Sequence, residues 1–228
     1  MPLQNGDFVL VDYVARVKET NEIIDLTIES IAKKEKIIKK NGVYEPILVV
    51  LGEGWLFKPV EEELLTLEVG QSKIIEIPPL KGFGERDPKK IKIIPARELS
   101  KRGVTPRIGE KVELNNEIGI IRSVSGGRVT VDFNHPLAGK TLIYEVTVVK
   151  KIENILDKVR EIVKRHIRTV DKNLVRIERM EDTIKIELPE SIRVIDGIEY
   201  MKRGIVRDVF KTISDVNSVI FVETYKRS

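Results

Sequence analysis

Apolar residues follow three successive rhythms along the chain. From Phe8 to Val17 they alternate with polar positions at period two, after Asn5-Gly6-Asp7, which predicts a half-buried strand. Pro46 to Leu51 is a short continuous apolar run ending at Gly52-Glu53-Gly54, and reads as a buried strand closed by a turn. Lys73 to Pro78 alternates as another strand. Between these, Leu26 to Glu35 reads as a short surface helix, and Lys33 to Lys40 as a solvated face. Pro59 followed by Glu61, Glu62 and Glu63 is a helix start. Proline gives up no needed N–H there, and the acids suit the positive end of the dipole. Gly70 closes that region.

The second rhythm runs over residues 87–131. Val112 to Arg122, folded at Asn115-Asn116, reads as one hairpin. Val124 to Phe133, folded at Ser125-Gly126-Gly127, reads as a second. Together they predict a small β unit, followed by a long strand from Thr141 to Val149. From about residue 153 the period becomes helical. Ile152, Ile155, Leu156, Val159, Ile162, Val163, Ile167 and Val170 form one stripe. Alternating strands at Leu174–Met180 and Ile184–Leu188 follow, turned at Glu181-Asp182. A second amphipathic helix, from about Gly197 to Ile213, carries Gly204 in its interior. That glycine costs about 1 kcal/mol of propensity and points to a close packing contact. A last strand spans Val216–Tyr225. This α-β-β-α-β unit is marginal at its size, so it should dock its exposed face on something.

Composition narrows the class. The 228 residues are 41% hydrophobic and 33% charged with a net charge of +4, which gives a mixed-sign surface rather than a basic one. Abundant Lys and Glu, with Gln4 and Gln71 the only glutamines, resembles thermophile usage. The absence of cysteine removes disulfides, thiol nucleophiles and thiolate metal sites. The apolar runs are too short to cross a membrane, and Met1 to Asp7 lacks a signal-peptide pattern. A soluble cytoplasmic protein is the expectation, with no membrane partner.

Several short motifs then occur in a telling order. They are Val11-Asp12-Tyr13, Ile24-Asp25-Leu26-Thr27, Tyr44-Glu45-Pro46 and the stretch Val50-Leu51-Gly52-Glu53-Gly54-Trp55-Leu56-Phe57-Lys58-Pro59-Val60-Glu61-Glu62. Val69-Gly70-Gln71, Gly82-Phe83-Gly84-Glu85-Arg86-Asp87-Pro88 and Asn134-His135-Pro136-Leu137-Ala138-Gly139 complete them. In this order and spacing they resemble the FKBP-type peptidyl-prolyl cis-trans isomerases. The last two motifs resemble the SlyD-like subfamily, and the extra C-terminal region the long-chain archaeal type. The resemblance covers about two thirds of the chain. It implies an α+β architecture: an FKBP half-barrel, an antiparallel sheet wrapped on a short helix, split into 1–86 and 132–152. An inserted chaperone domain would occupy 87–131, and a C-terminal α-β-β-α-β domain 153–228.

The resemblance also implies a site. Tyr13, Asp25, Leu56, Phe57, Phe83 and Tyr144 would be catalytic, and Ile24, Ile47 and Val60 would bind substrate. Phe83 stands where many relatives have a substrate-bonding tyrosine, and Val60 where some have a tryptophan floor. Rotation about the imide bond needs no nucleophile, metal or cofactor. A dry apolar pocket that fits the twisted state is enough. No cofactor and no metal are therefore expected. SlyD relatives carry a histidine-rich tail, whereas this chain has only His135 and His166, so metal handling is not carried over. His135, before Pro136, reads as a turn residue, and Trp55 as a surface or flap packing residue rather than a substrate contact.

The expected partners are unfolded or nascent polypeptides with Xaa-Pro bonds. The insert has too many aliphatic residues for a unit its size to bury, so an apolar client surface is expected there. Phe83 keeps open a binding-only chaperone with a weakly active pocket. The C-terminal domain is expected to form a homodimer or add client-binding surface. Between Lys158 and Arg179 it has eight Lys/Arg, but no stacking aromatics, which argues against nucleic acid.

Overall fold

A computed structural model describes residues 2–40 and 42–224. Tyr225, the end of the last predicted strand, lies outside them. In chain order the first elements are β1 (Phe8–Val17), β2 (Ile23–Leu26), α1 (Glu29–Lys34), β3 (Ile47–Val50), α2 (Lys58–Leu64) and β4 (Ser72–Ile77). Next come β5 (Ile91–Pro95), α3 (Ala96–Lys101), β6 (Lys111–Leu114), β7 (Glu117–Ser125) and β8 (Arg128–Asp132). Then follow β9 (Leu142–Ile152), α4 (Ile155–His166), β10 (Arg176–Met180), β11 (Thr183–Glu187), α5 (Glu190–Arg193), α6 (Ile198–Thr212) and β12 (Ser218–Val222). Two compact units result. One holds the described residues up to Arg16, Asn21–Glu76 and those from Ile143 onward; the other holds Val17–Thr20 and Ile77–Leu142.

The expected α+β class is what the chain adopts. In the first unit a five-stranded sheet runs β2-β1-β9-β4, with β3 also on β1. The first half of β1 pairs β3, with Phe8 opposite Val50, and its second half pairs β2, with Ala15 opposite Asp25. Strand β1 forms where the pattern predicts, but it is buried on both faces rather than half-buried: the adjacent pairs Phe8 and Val9, and Val14 and Ala15, are all covered, and Phe8 packs into the core shared with the C-terminal elements. Helix α2 starts at its proline turn and buries Val60 and Leu64 completely.

The C-terminal elements form a sheet β10-β11-β12, antiparallel between β10 and β11 and parallel between β11 and β12. Asn154 caps α4 by accepting the N–H groups of Leu156 (2.9 Å) and Asp157 (3.3 Å). The docking expected of this unit occurs within the chain. Its core, built on Val159, Ile162, Val163, Ile184, Ile205 and Val209, is continuous with Phe8, Leu48 and Val50 of the first sheet. Trp55 joins that core from the side, with the Arg165 guanidinium stacked over its ring at 3.8 Å. The lone tryptophan is thus a packing residue for the C-terminal domain. Gly204 shows the close approach its sequence position suggested. A Cβ there would sit 2.6 Å from the His166 ring, which bonds Asp208 at 2.8 Å.

Some element limits differ from the periodic reading. Ile152 ends β9, and Ile167 and Val170 lie past α4, although all three are buried. The stripe recorded burial correctly but not where the helix stops, because the same buried face continues into the flanking backbone. Strand β2, only four residues long, is too short to give a periodic signal of its own.

In the second unit a four-stranded antiparallel sheet runs β5-β8-β7-β6. Both predicted hairpins are present, with Leu114 opposite Glu117 and Ser125 opposite Arg128. Gly126 and Gly127 take φ of +55° and +72°, the pair of positive angles that a two-residue hairpin of this hand demands. Strand β5 and helix α3 had no clear signal. Ile91–Pro95 is short and ends in proline, and Ala96–Lys101 is a single turn and a half of helix. Among the described residues no helix is long and apolar enough to cross a membrane.

Candidate active site

The site begins with strand register. The Thr27 N–H donates to the Tyr13 carbonyl (3.0 Å), so Asp25, two residues before Thr27, is the diagonal neighbour of Tyr13 on the same face. The Tyr13 hydroxyl donates to Asp25 Oδ2 at 2.6 Å. Thr27 fixes this register: its Oγ1 accepts the Tyr13 N–H (2.9 Å) and donates to Asp12 (2.7 Å). Across the sheet, Tyr144 on β9 stacks on Tyr13 with ring centroids 5.7 Å apart and 24° between planes. Phe57, at the start of α2, meets Tyr144 edge-on at 5.9 Å and 85°. Three expected aromatic residues and the expected aspartate therefore form one cluster.

Burial raises the pKa of the Tyr13 hydroxyl, and the bond to Asp25 and its charge raise it further. Burial, with the Asp25 charge second, pushes Tyr144 up to about 12. Both phenols stay protonated at physiological pH. Tyr13 spends its proton on Asp25, whereas the Tyr144 hydroxyl has no hydrogen-bond partner among the described residues. Ile47 and Tyr13 line one cavity of about 350 Å³. Ile24 and Asp25 line another of about 370 Å³.

A family model described as FKBP26, IF domain, matches residues 92–137, and one described as FKBP26 C-terminal matches residues 156–226. The chain is 38% identical over 146 residues to the short-type peptidyl-prolyl cis-trans isomerase of Methanocaldococcus jannaschii, covering 64% of this chain and 92% of that protein. It belongs to the FKBP-type peptidyl-prolyl cis-trans isomerase family. The FKBP-type 16 kDa isomerase of Escherichia coli is 34% identical over 117 residues, covering 49% of this chain and 76% of that one. SlyD of Treponema pallidum is 28% identical over 152 residues, covering 65% and 77%.

The remaining family positions divide. Val60, expected to bind substrate, is fully buried on α2 and has no exposed surface. Leu56 is half-buried at the end of the 52–56 turn. Phe83 lies in the second unit, stacked on His135 with centroids 4.3 Å apart. His135 also accepts the Leu137 N–H on Nδ1 (3.2 Å), which makes it a turn residue as well as a ring platform.

Two residues beside this candidate site carry no signal in the sequence that would single them out. Glu61, buried on α2, takes the N–H groups of Gly52 (3.0 Å) and Gly54 (3.1 Å) on one oxygen and of Leu56 (2.9 Å) on the other. One carboxylate thus fixes the whole turn that presents Leu56 and Phe57. It was visible only as one of three acids at a helix start, and nothing in that pattern says which one turns inward. Arg168, from the segment after α4, lines both cavities. No local pattern links it to Tyr13, since only the tertiary docking of α4 brings it there.

Proposed function

We propose that this isomerase turns Xaa-Pro bonds at the Tyr13–Asp25–Phe57–Tyr144 cluster, and that its inserted sheet holds the unfolded client. The observation that carries the catalytic half is the asymmetry of the two phenols. Tyr13 is locked onto Asp25 and makes a rigid wall, while Tyr144, stacked on it, keeps a protonated hydroxyl for a substrate carbonyl. Around them Ile24, Ile47, Leu56 and Phe57 supply the apolar lining. The planar amide is more polar than the twisted state, so a dry lining favours rotation, and no bond is made or broken. Leu56 and Phe57 are presented by the Glu61-fixed turn, which places them without cost at the moment of binding.

Client capture is supported by what the insert leaves bare. Its core is small: Leu99, Val112, Leu114, Ile121, Val129 and Val131. Ile93, Ile108 and Ile118 are 65–69% exposed, and Val124 is exposed as well. Isolated exposed aliphatics are ordinary, but several on so small a unit make a sticky surface, and edge strands β5 and β6 can accept an extended chain. Capture and turnover in one chain raise the local concentration of prolines. A homodimer through the C-terminal sheet fits the same logic, with β12 at its edge and Ile220 exposed; a one-protomer mass by sedimentation at micromolar concentration would reject it.

A protease-free exchange assay on a short proline peptide tests the catalytic half. Wild type should accelerate isomerisation, Asp25→Ala should lower kcat/KM by about tenfold or more, and Tyr144→Phe by a smaller factor. No acceleration by wild type at micromolar enzyme would leave only a binding protein.

A further inference from the structure

We propose that Arg168, supplied by the C-terminal domain, is a specificity residue of the isomerase pocket that favours Xaa-Pro segments carrying a carboxylate beside the proline. The Tyr13–Asp25 pair has a cavity on each side. Tyr13 lines the first with Glu45, Pro46, Ile47 and Leu48, and Asp25 lines the second with Ile24, Lys39 and Tyr44. Arg168 lines both, so it stands at their shared wall.

The other charges of the first cavity are already matched. Lys164 holds Glu45 at 2.8 Å and also donates to the Val170 carbonyl at 2.9 Å. Glu161 is bonded by Lys172. His166 bonds Asp208 at 2.8 Å, and Arg165 lies over Trp55 with Asp208 4.0 Å away. Arg168 is exposed and makes no hydrogen bond or ion pair with any described residue. In the second cavity the one lining acid is Asp25, and its Oδ2 is taken by Tyr13. Two positive charges at the rim are therefore uncommitted, Arg168 and the Lys39 ammonium of the second cavity, and Arg168 alone lines both cavities. Its reach is felt at the Tyr13 hydroxyl, where, against the rise caused by burial and then by Asp25, Arg168 pulls the pKa down.

A planar guanidinium with its donors unspent suits a carboxylate and repels an ammonium. Partner choice then comes from both the attraction and the repulsion. Because the arginine belongs to the C-terminal domain, that domain would take part in choosing substrates as well as in packing against the first sheet.

This inference rests on the cluster being the isomerase site, and one experiment separates the two. Peptides with Glu, Ala or Lys placed one or two residues before or after the proline are turned over by wild type, Arg168→Ala and Arg168→Glu full-length protein. At one or more positions the Glu-to-Lys ratio of kcat/KM should fall about threefold in Arg168→Ala and fall below one in Arg168→Glu. The change should sit in KM, and salt should shrink it. A ratio that is the same in all three proteins at every position overturns the role of Arg168. Absence of turnover by wild type on every peptide overturns the isomerase reading itself.

Discussion

The aromatic cluster and the inserted sheet make opposite use of the same two ingredients. Each is anchored by one buried carboxylate. Glu61 takes three backbone N–H groups and fixes the turn at residues 52–56. Asp132 accepts from the Asn134 N–H (3.1 Å) and Nδ2 (2.8 Å), from Arg86, and from Arg122 at 3.4 Å. Burial alone would raise the Asp132 pKa; the bonds from Asn134 and the two guanidiniums outweigh it and hold the carboxyl below its usual range. Each region also holds several apolar groups. The cluster covers its own, stacking Tyr13, Tyr144 and Phe57, while the insert leaves Ile93, Ile108 and Ile118 bare. A site for chemistry needs one fixed arrangement of rings. The capture proposed for the insert needs adaptable apolar surface on a rigid root. The difference lies in what the carboxylates hold still.

The sharpest way to break this comparison is to remove the anchors. Glu61→Ala leaves the N–H groups of Gly52, Gly54 and Leu56 without their carboxylate acceptor and should cost about 2–3 kcal/mol of stability. Even below the melting transition it should abolish most peptide turnover, because Leu56 and Phe57 lose their turn. Chemical denaturation read beside the exchange assay checks both. Asp132→Ala should cost about 2–3 kcal/mol and loosen the root of the insert, while short-peptide turnover persists. Equal loss of turnover in the two variants would erase the distinction.

A smaller effect follows from the phenols. With Tyr144 pushed up to about 12 from an ordinary value of 10.0, the folded state keeps a proton that the unfolded state releases. That contribution is fully present below pH 10 and is lost as pH rises from 10 toward 12. Wild type should therefore lose stability over that window more steeply than Tyr144→Phe in parallel melts. Matching slopes would mean that the Tyr144 phenol is no more buried than a free one.

Local features were readable in advance and tertiary ones were not. The alternation in Phe8–Val17, the Pro59 helix start and the Gly126-Gly127 turn each encode their own geometry, so β1, α2 and the second hairpin follow from a few neighbouring residues. The short motifs carry Tyr13, Asp25 and Phe57, and the family resemblance they support adds Tyr144. The inward turn of Glu61 was hidden, because Glu61, Glu62 and Glu63 are alike in sequence and only packing selects one. Arg168 was hidden for a stronger reason. It reaches Tyr13 only because the core around Ile162 and Val163 continues into Phe8, Leu48 and Val50, a contact between distant segments that no periodicity records. Phe83 was placed by motif alone; what the structure adds is its stacking on His135.

Under the proposed function, turnover and capture reside in different parts of one chain. The most direct test compares wild type with an Ile93→Ser, Ile108→Ser, Ile118→Ser triple variant on two substrates, a short proline peptide and an unfolded protein whose refolding is limited by proline isomerisation. These side chains are exposed, so the variant should keep its fold. Peptide kcat/KM should be unchanged, and catalysis of refolding should fall by about tenfold as client affinity is lost. Refolding catalysis that survives intact, or peptide turnover that falls in step with it, would contradict the division.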